Sequence, residues 1–183
     1  MITLKQIQEL AKKDKINQTV IFREYLQLWF LSQLYATRGS QKILFKGGTA
    51  IHLLLGSFRF SEDLDFTVLA GDDEFQRLIL GVFKKARQFG GISIKPKKTL
   101  AGKSFLLTYR GELLPFRVFI TLDFSFREKV WRPAQSSLVT DFPIIFTGFV
   151  HHLAPEEILA EKIRAILTRK KGRDFFDLWF LLS

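Results

Sequence analysis

Asp63 and Asp65 stand two residues apart in a run, Asp63 to Leu69, whose side chains alternate between two faces. Asp63, Asp65 and Thr67 share one face, and Leu64, Phe66 and Val68 share the other. Roughly 6.6 Å of backbone rise separates the two acids, so both can grip one ion or an ion pair. Like charges so placed repel, and keeping them ionised needs a cation or basic neighbours. Magnesium suits such oxygen donors: two hard ions bridged by carboxylates would activate an attacking hydroxyl and neutralise a triphosphate during in-line displacement. Asp123 supplies a third acid from the polar face of the run Phe116 to Phe126, beside Thr121 and Ser125, while the opposite face is wholly apolar. An aspartate on a buried strand without a partner would be costly. The competing reading pairs the three acids with Arg59, Arg117 or Arg127 on a solvated sheet face.

Gly47-Gly48-Thr49 falls between an apolar strand-like run, Lys42 to Phe45, and a helix-forming stretch, Ala50 to Leu55. Two glycines there let the backbone approach a phosphate, and amides at a helix start point toward an anion. Glycine pairs also make ordinary turns, so the pair gains meaning only from the acids that follow it.

These groups must be positioned by the elements around them. Helical spacing of Ile21, Phe22, Tyr25, Leu28, Trp29 and Leu31, with Asn17 as cap, predicts a long buried helix from about Gln18 to Ala36. A second helix is expected over Asp72 to Gln88, with Asp72 as cap and Gly90-Gly91 as stop. Strands are expected over 92–95, 105–109 and 116–126, then a connecting loop from Trp131 to Asp141 and an edge strand over Ile144 to Val150 after Pro143. Pro155 opens a helix to Arg169, and a last helix runs from about Arg173 to the end. The fold class is therefore α/β (α+β), a mixed sheet flanked by helices. Residues 1–150 read as a core with N-terminal helices, and 151–183 as a C-terminal helical segment.

The chain has 183 residues, 47% apolar and 14% aromatic with 20 Phe, which supplies one compact core and excludes wholesale disorder. Its 28 Lys and Arg against 18 Asp and Glu give a net charge of +10, which favours a polyanionic partner such as nucleic acid or nucleotide phosphate. With no cysteine, disulfides, thiolate metal sites and cysteine nucleophiles are excluded. The N-terminal segment lacks the unbroken apolar stretch of a secretory signal, and no run is long enough to span a bilayer, so cytoplasmic residence is the default expectation and no membrane partner is expected. His151 and His152 would point to opposite faces of an extended segment, and His52 packs behind the glycine turn, so none enters the chemistry. Lys95, Lys97, Lys98, Lys103 and Arg110 make a basic stretch that reads either as an RNA track or as solvated loop charge.

The string FKGGTAIHLLLGSFRFSEDLDFTVL resembles the first motif of the nucleotidyltransferase superfamily as carried by AbiEii-like (AbiEii/MenT type) toxins of type IV toxin–antitoxin systems. The tail, EKIRAILTRKKGRDFFDLWFLL, resembles that family's later motifs, so the likeness runs from about Lys42 to Leu182. The resemblance implies a nucleotidyltransferase core with Gly47, Gly48 and Thr49 at the nucleotide phosphate, and Asp63, Asp65 and Asp123 at Mg2+. It also implies Lys162 on the donor phosphates and a required aspartate in the RDxxD segment, Asp174 first and Asp177 second. From the residues alone, Glu161 with Arg164 and Arg173 with Asp177 read equally as pairs within a helix. The implied activity is transfer of NMP from NTP to RNA, with tRNA a target class and a cognate antitoxin as partner. Two rivals stand beside it: a kinase-like phosphoryl transferase using the same pocket, and a catalytically silent RNA- or antitoxin-binding module. Relatives of this kind continue with further helices, so the resemblance further implies either more chain or a partner over the apolar surface at Trp179 and Phe180.

Overall fold

The computed structural model describes residues 2–169 and 171–183. Among them are six α-helices and seven strands in one mixed sheet. Helix α1 (Leu4–Asp14) starts at a capping box in which Thr3 and Gln6 satisfy each other's backbone N–H groups. Helix α2 (Gln18–Tyr35) starts as expected, the Asn17 side chain accepting from the Thr19 N–H at 2.8 Å. It is buried on nearly all sides, with Phe22, Leu26, Phe30 and Leu31 fully enclosed.

A 3₁₀ turn leads from α2 into β1 (Ile43–Lys46), which runs directly into α3 (Gly47–Leu55). Strand β2 (Leu64–Val68) returns antiparallel to β1 and is followed by α4 (Asp72–Gln88). Strands β3 (Ile92–Lys97), β4 (Lys103–Tyr109) and β5 (Val118–Ser125) form a meander. Strands β6 (Pro133–Ser136) and β7 (Val150–Leu153) precede the helices α5 (Pro155–Arg169) and α6 (Gly172–Leu182). The strand order is β3-β4-β5-β2-β1-β7-β6, with β2/β5 and β1/β7 parallel and the other pairs antiparallel.

The alternation legible in β2 and β5 decides the two faces of this sheet. Phe45, Phe66 and Phe124 are register partners on one face, where Phe66 stacks on Phe124 at 4.9 Å and α4 adds Phe75 edge-on at 4.9 Å. Asp65, Thr67, Asp123 and Ser125 project from the opposite face. A helix layer on the phenylalanine face thus leaves the acid face for a cleft.

Three expectations are corrected. The segment Trp131 to Asp141 is not only a loop, because Pro133–Ser136 forms β6, an edge strand where a proline costs no ladder bond on its open side. The strand expected over 144–150 begins only at Val150, and it lies inside the sheet between β1 and β6 rather than at an edge. Asp72 is the first residue of α4 and not its cap; its carboxylate instead accepts from Gln76 and pairs with Lys103. Among the described residues no helix is long and apolar enough to cross a membrane.

Candidate active site

The antiparallel pairing of β1 with β2 places Lys46 opposite Asp65, so Gly47, which follows Lys46, lies against that acid. The glycine turn and the helix are one element here: α3 begins at Gly47 itself, whose φ of +80° is the left-handed conformation glycine tolerates. Gly47 and Gly48 of this first turn, where helix amides lack intrahelical partners, line the cleft. The parallel pairing of β2 with β5 sets Asp65 opposite Asp123, and Asp63 sits just before β2. All three acids line one cleft of about 440 Å³, with Gly47 and Gly48 on its sheet side and Lys162 and Arg164 of α5 across from them.

Among the described residues none of the three acids makes an ion pair within 4.0 Å, so the reading that neutralised them with Arg59, Arg117 or Arg127 is not what the fold does. Asp65 shows the consequence. Burial first, then the charges of Asp63 and Asp123, push its pKa up to about 6 despite the opposing charges of Lys46 and Lys162. Three carboxylates that face one cleft without an ion-pair partner among the described residues are the donor type a hard divalent cation takes. They do not yet converge: among the described residues no group of three or more His, Asp or Glu is close-set enough to enclose a metal. That openness suits an ion held by one or two carboxylates, with substrate phosphates and water completing its shell.

The far wall is built on charge. Lys162 is only 6% exposed and donates to Asp177 at 2.7 Å and Asp174 at 3.4 Å. Asp177 also receives the Arg59 guanidinium as a fork, both contacts at 2.7 Å. Asp174, fully buried, takes a second fork from Arg169 at 2.8 and 2.9 Å. Burial alone would raise the Asp174 pKa, but the Arg169 hydrogen bonds and the charges of Lys162 and Arg169 outweigh it and hold it below the ordinary value. Lys46 reaches across to Glu161 at 2.7 Å and Glu128 at 3.4 Å.

A family model for the nucleotidyl transferase AbiEii toxins of type IV toxin–antitoxin systems matches residues 29–183. The chain belongs to this AbiEii family. Its fold is similar to that of JHP933 from Helicobacter pylori, with a TM-score of 0.65, 24% identity and coverage of 90% of this chain and 66% of that one. A second solved structure, described as that of a "putative nucleotidyltransferase" from H. pylori, matches with a TM-score of 0.63, 25% identity and coverage of 91% of this chain and 69% of that one. The chain therefore spans about two-thirds of the length of these solved structures. No curated protein matches it.

Within this AbiEii-family chain the residues expected from the sequence divide into two groups. Gly47, Gly48, Asp63, Asp65, Asp123 and Lys162 meet at the cleft. Thr49 and Asp174 stand behind it: Thr49 is buried and donates to the Asp63 carbonyl at 2.5 Å, fixing the loop that carries the acids, while Asp174 neutralises Lys162 and Arg169. Glu161 pairs with Lys46 rather than Arg164, and Asp177 with Arg59 and Lys162 rather than Arg173. The histidines stay out, as expected: His152 is buried against Ser136, His151 rests on Tyr35, and His52 lies against Phe60 and Glu24.

Sequence reasoning missed three contributors. Gln27, a polar residue buried in apolar α2, donates to the Ser61 carbonyl at 3.0 Å and fastens the loop ahead of Asp63. Its signal was an uncharged polar side chain inside an otherwise apolar helix face. Lys46 was visible only as a charge flanking the glycines, and Arg59 only as a candidate counter-ion of the three acids rather than of Asp177.

Gly47 is also where a single methyl does most harm. A Cβ there would press on the Asp65 carboxylate, whose Cβ and Cγ lie 3.0 Å away, and the +80° φ would be strained as well. Gly47→Ala should cost about 2 kcal/mol, seen as a lowered melting temperature, and displace Asp65. An Ala variant with unchanged melting would refute this placement.

Proposed function

We propose that this AbiEii-family chain is a magnesium-dependent nucleotidyltransferase that moves a nucleoside monophosphate from an NTP to an RNA hydroxyl, with tRNA as the acceptor class, and releases pyrophosphate. The observation that carries this reading is a set of three acids without an ion pair among the described residues, two of them register partners on adjacent strands, lining one cleft with Gly47, Gly48 and Lys162. One or two of Asp63, Asp65 and Asp123 would hold the magnesium, with the substrate phosphates completing its shell. When bound it would offset the charge of the reacting phosphates and polarise the α-phosphate. The amides of Gly47 and Gly48 would cradle the triphosphate, and Lys162 would meet it from α5. Asp123 would orient the acceptor hydroxyl and take its proton as that oxygen bonds to the α-phosphorus. The α-phosphorus bond to the bridging oxygen breaks, and pyrophosphate leaves. Positioning and charge supply the catalysis, since no nucleophile of the protein is needed.

The toxin–antitoxin character of the family supports a cognate antitoxin as partner and action in the cytoplasm, where NTPs and RNA meet. The test is incubation with each labelled NTP, magnesium and total RNA, followed by mass spectrometry and sequencing of RNA 3′ ends. Addition of a whole nucleoside monophosphate is the expected product. Addition of phosphate alone would convert the reading to a kinase-like one, and magnesium-dependent NTP binding without any product would leave a silent binding module.

A further inference from the structure

Arg59 has no part in the scheme above, yet its position is hard to explain as packing. It lies in the loop between α3 and β2, lines the cleft, and keeps its guanidinium against the glycine turn. Gly48 records that proximity. Unlike Gly47 it has no left-handed φ, so its conformation does not call for glycine. A Cβ at Gly48 would run into Arg59 Nη2 and come within 3.2 Å of Ser61 Oγ. The missing side chain is thus room for a cation beside the first turn of α3.

That cation is also held still. Nε and Nη2 fork onto Asp177, a carboxylate only 1% exposed, and Nη1 donates to the Phe60 carbonyl at 3.3 Å. A guanidinium has five N–H donors, so three such bonds leave two unused on a group that faces the cleft. Asp177 carries Lys162 on the same carboxylate at 2.7 Å. One buried acid therefore presents two cations, one beside the α3 amides and one from α5, to the same space. With Asp174 and Arg169 included, three cations share two carboxylates, which leaves one positive charge in excess beside the space where a polyphosphate would lie.

We propose that Arg59 is a second donor-phosphate contact, that Asp177 is the positioning residue holding Arg59 and Lys162 together, and that the two cations bind the β- and γ-phosphates of the NTP. This rests on the nucleotidyltransferase reading and deepens it. Its signature is selective: losing Arg59 weakens binding of the triphosphate more than of the monophosphate, because only the former reaches the fork. A residue that merely latches α6 would alter both alike.

The experiment measures magnesium-dependent binding of ATP, GTP, CTP and UTP to the full chain, then takes the tightest NTP and its NMP for the variants. If the unsubstituted chain binds no NTP, the underlying reading fails before Arg59 is at issue. If it does, Arg59→Met is expected to lose about 10- to 100-fold in NTP affinity with the NMP little changed, and to raise KM for NTP in the transfer assay. Should Arg59→Met not fold, Arg59→Lys keeps an ion pair to Asp177 but not the fork, and the NTP-to-NMP preference should still drop at least threefold. An unchanged preference in whichever of the two folds overturns the proposal.

Discussion

Asp65→Asn is expected to reduce nucleotide transfer by about 10³-fold or more and, at the same time, to make the metal-free protein more stable. The two effects share one cause. Asp65 is crowded by burial and by Asp63 and Asp123, and its pKa is pushed up to about 6 from an ordinary 3.8. Between those values the folded chain holds a proton that the unfolded chain has released, so stability falls as pH rises through this window. Above pH 6 the folded state carries the full penalty, about 1–3 kcal/mol once partial solvent contact is allowed for. An amide cannot ionise and removes it. Thermal melts in chelator should therefore show the Asn variant ahead of the unsubstituted chain at pH 7 and level with it below pH 3.8. Adding magnesium with NTP at pH 7 should raise the melting temperature of the unsubstituted chain and leave the variant unmoved. A variant that is less stable at neutral pH, or that still transfers nucleotide, would remove Asp65 from the metal site.

Much of this geometry was legible because β-strands obey a period of two. The alternation in Leu64–Val68 and Val118–Ser125 puts Asp65 and Asp123 on polar faces without any knowledge of their pairing. What no spacing encodes is which strands meet. The Asp65–Asp123 register belongs to a parallel pair formed across more than fifty residues, and the sequence named both acids without being able to set them side by side. Strand β6 was hidden for another reason: Pro133-Ala134-Gln135-Ser136 has neither apolar alternation nor β-branched residues, and it is a strand because β7 offers it an edge. The charged wall was the least readable. Helical spacing offered Glu161 with Arg164 and Arg173 with Asp177 as local pairs, but each acid found a cation more than a hundred residues away, Glu161 one on β1 and Asp177 one in the loop before β2. Burial turned a solvated lattice into a fastening.

That fastening makes Asp177→Ala the most disruptive change on the C-terminal helices. Few apolar side chains secure α5 and α6: in α5 only Ile158 and Lys162 are buried, and in α6 the buried residues are Asp174 and Asp177. Removing the Asp177 carboxylate strands Lys162, whose side chain is 8% exposed, and Arg59, at 21%, neither of which water can fully reach. Leaving such charges unpaired should cost about 3–5 kcal/mol. Asp174→Ala should cost less, because its close partner Arg169 is 45% exposed and can be rehydrated, while its contact with Lys162 is the longer one at 3.4 Å. Chemical denaturation of both variants should rank them Asp177→Ala, then Asp174→Ala, then the unsubstituted chain. Hydrogen exchange in the Asp177 variant should rise first across α6 and the 57–63 loop, because Arg59 joins those two segments. Negligible destabilisation by both substitutions would mean that α6 is held by its apolar contacts, and that the charge wall is ornament to the fold rather than its latch.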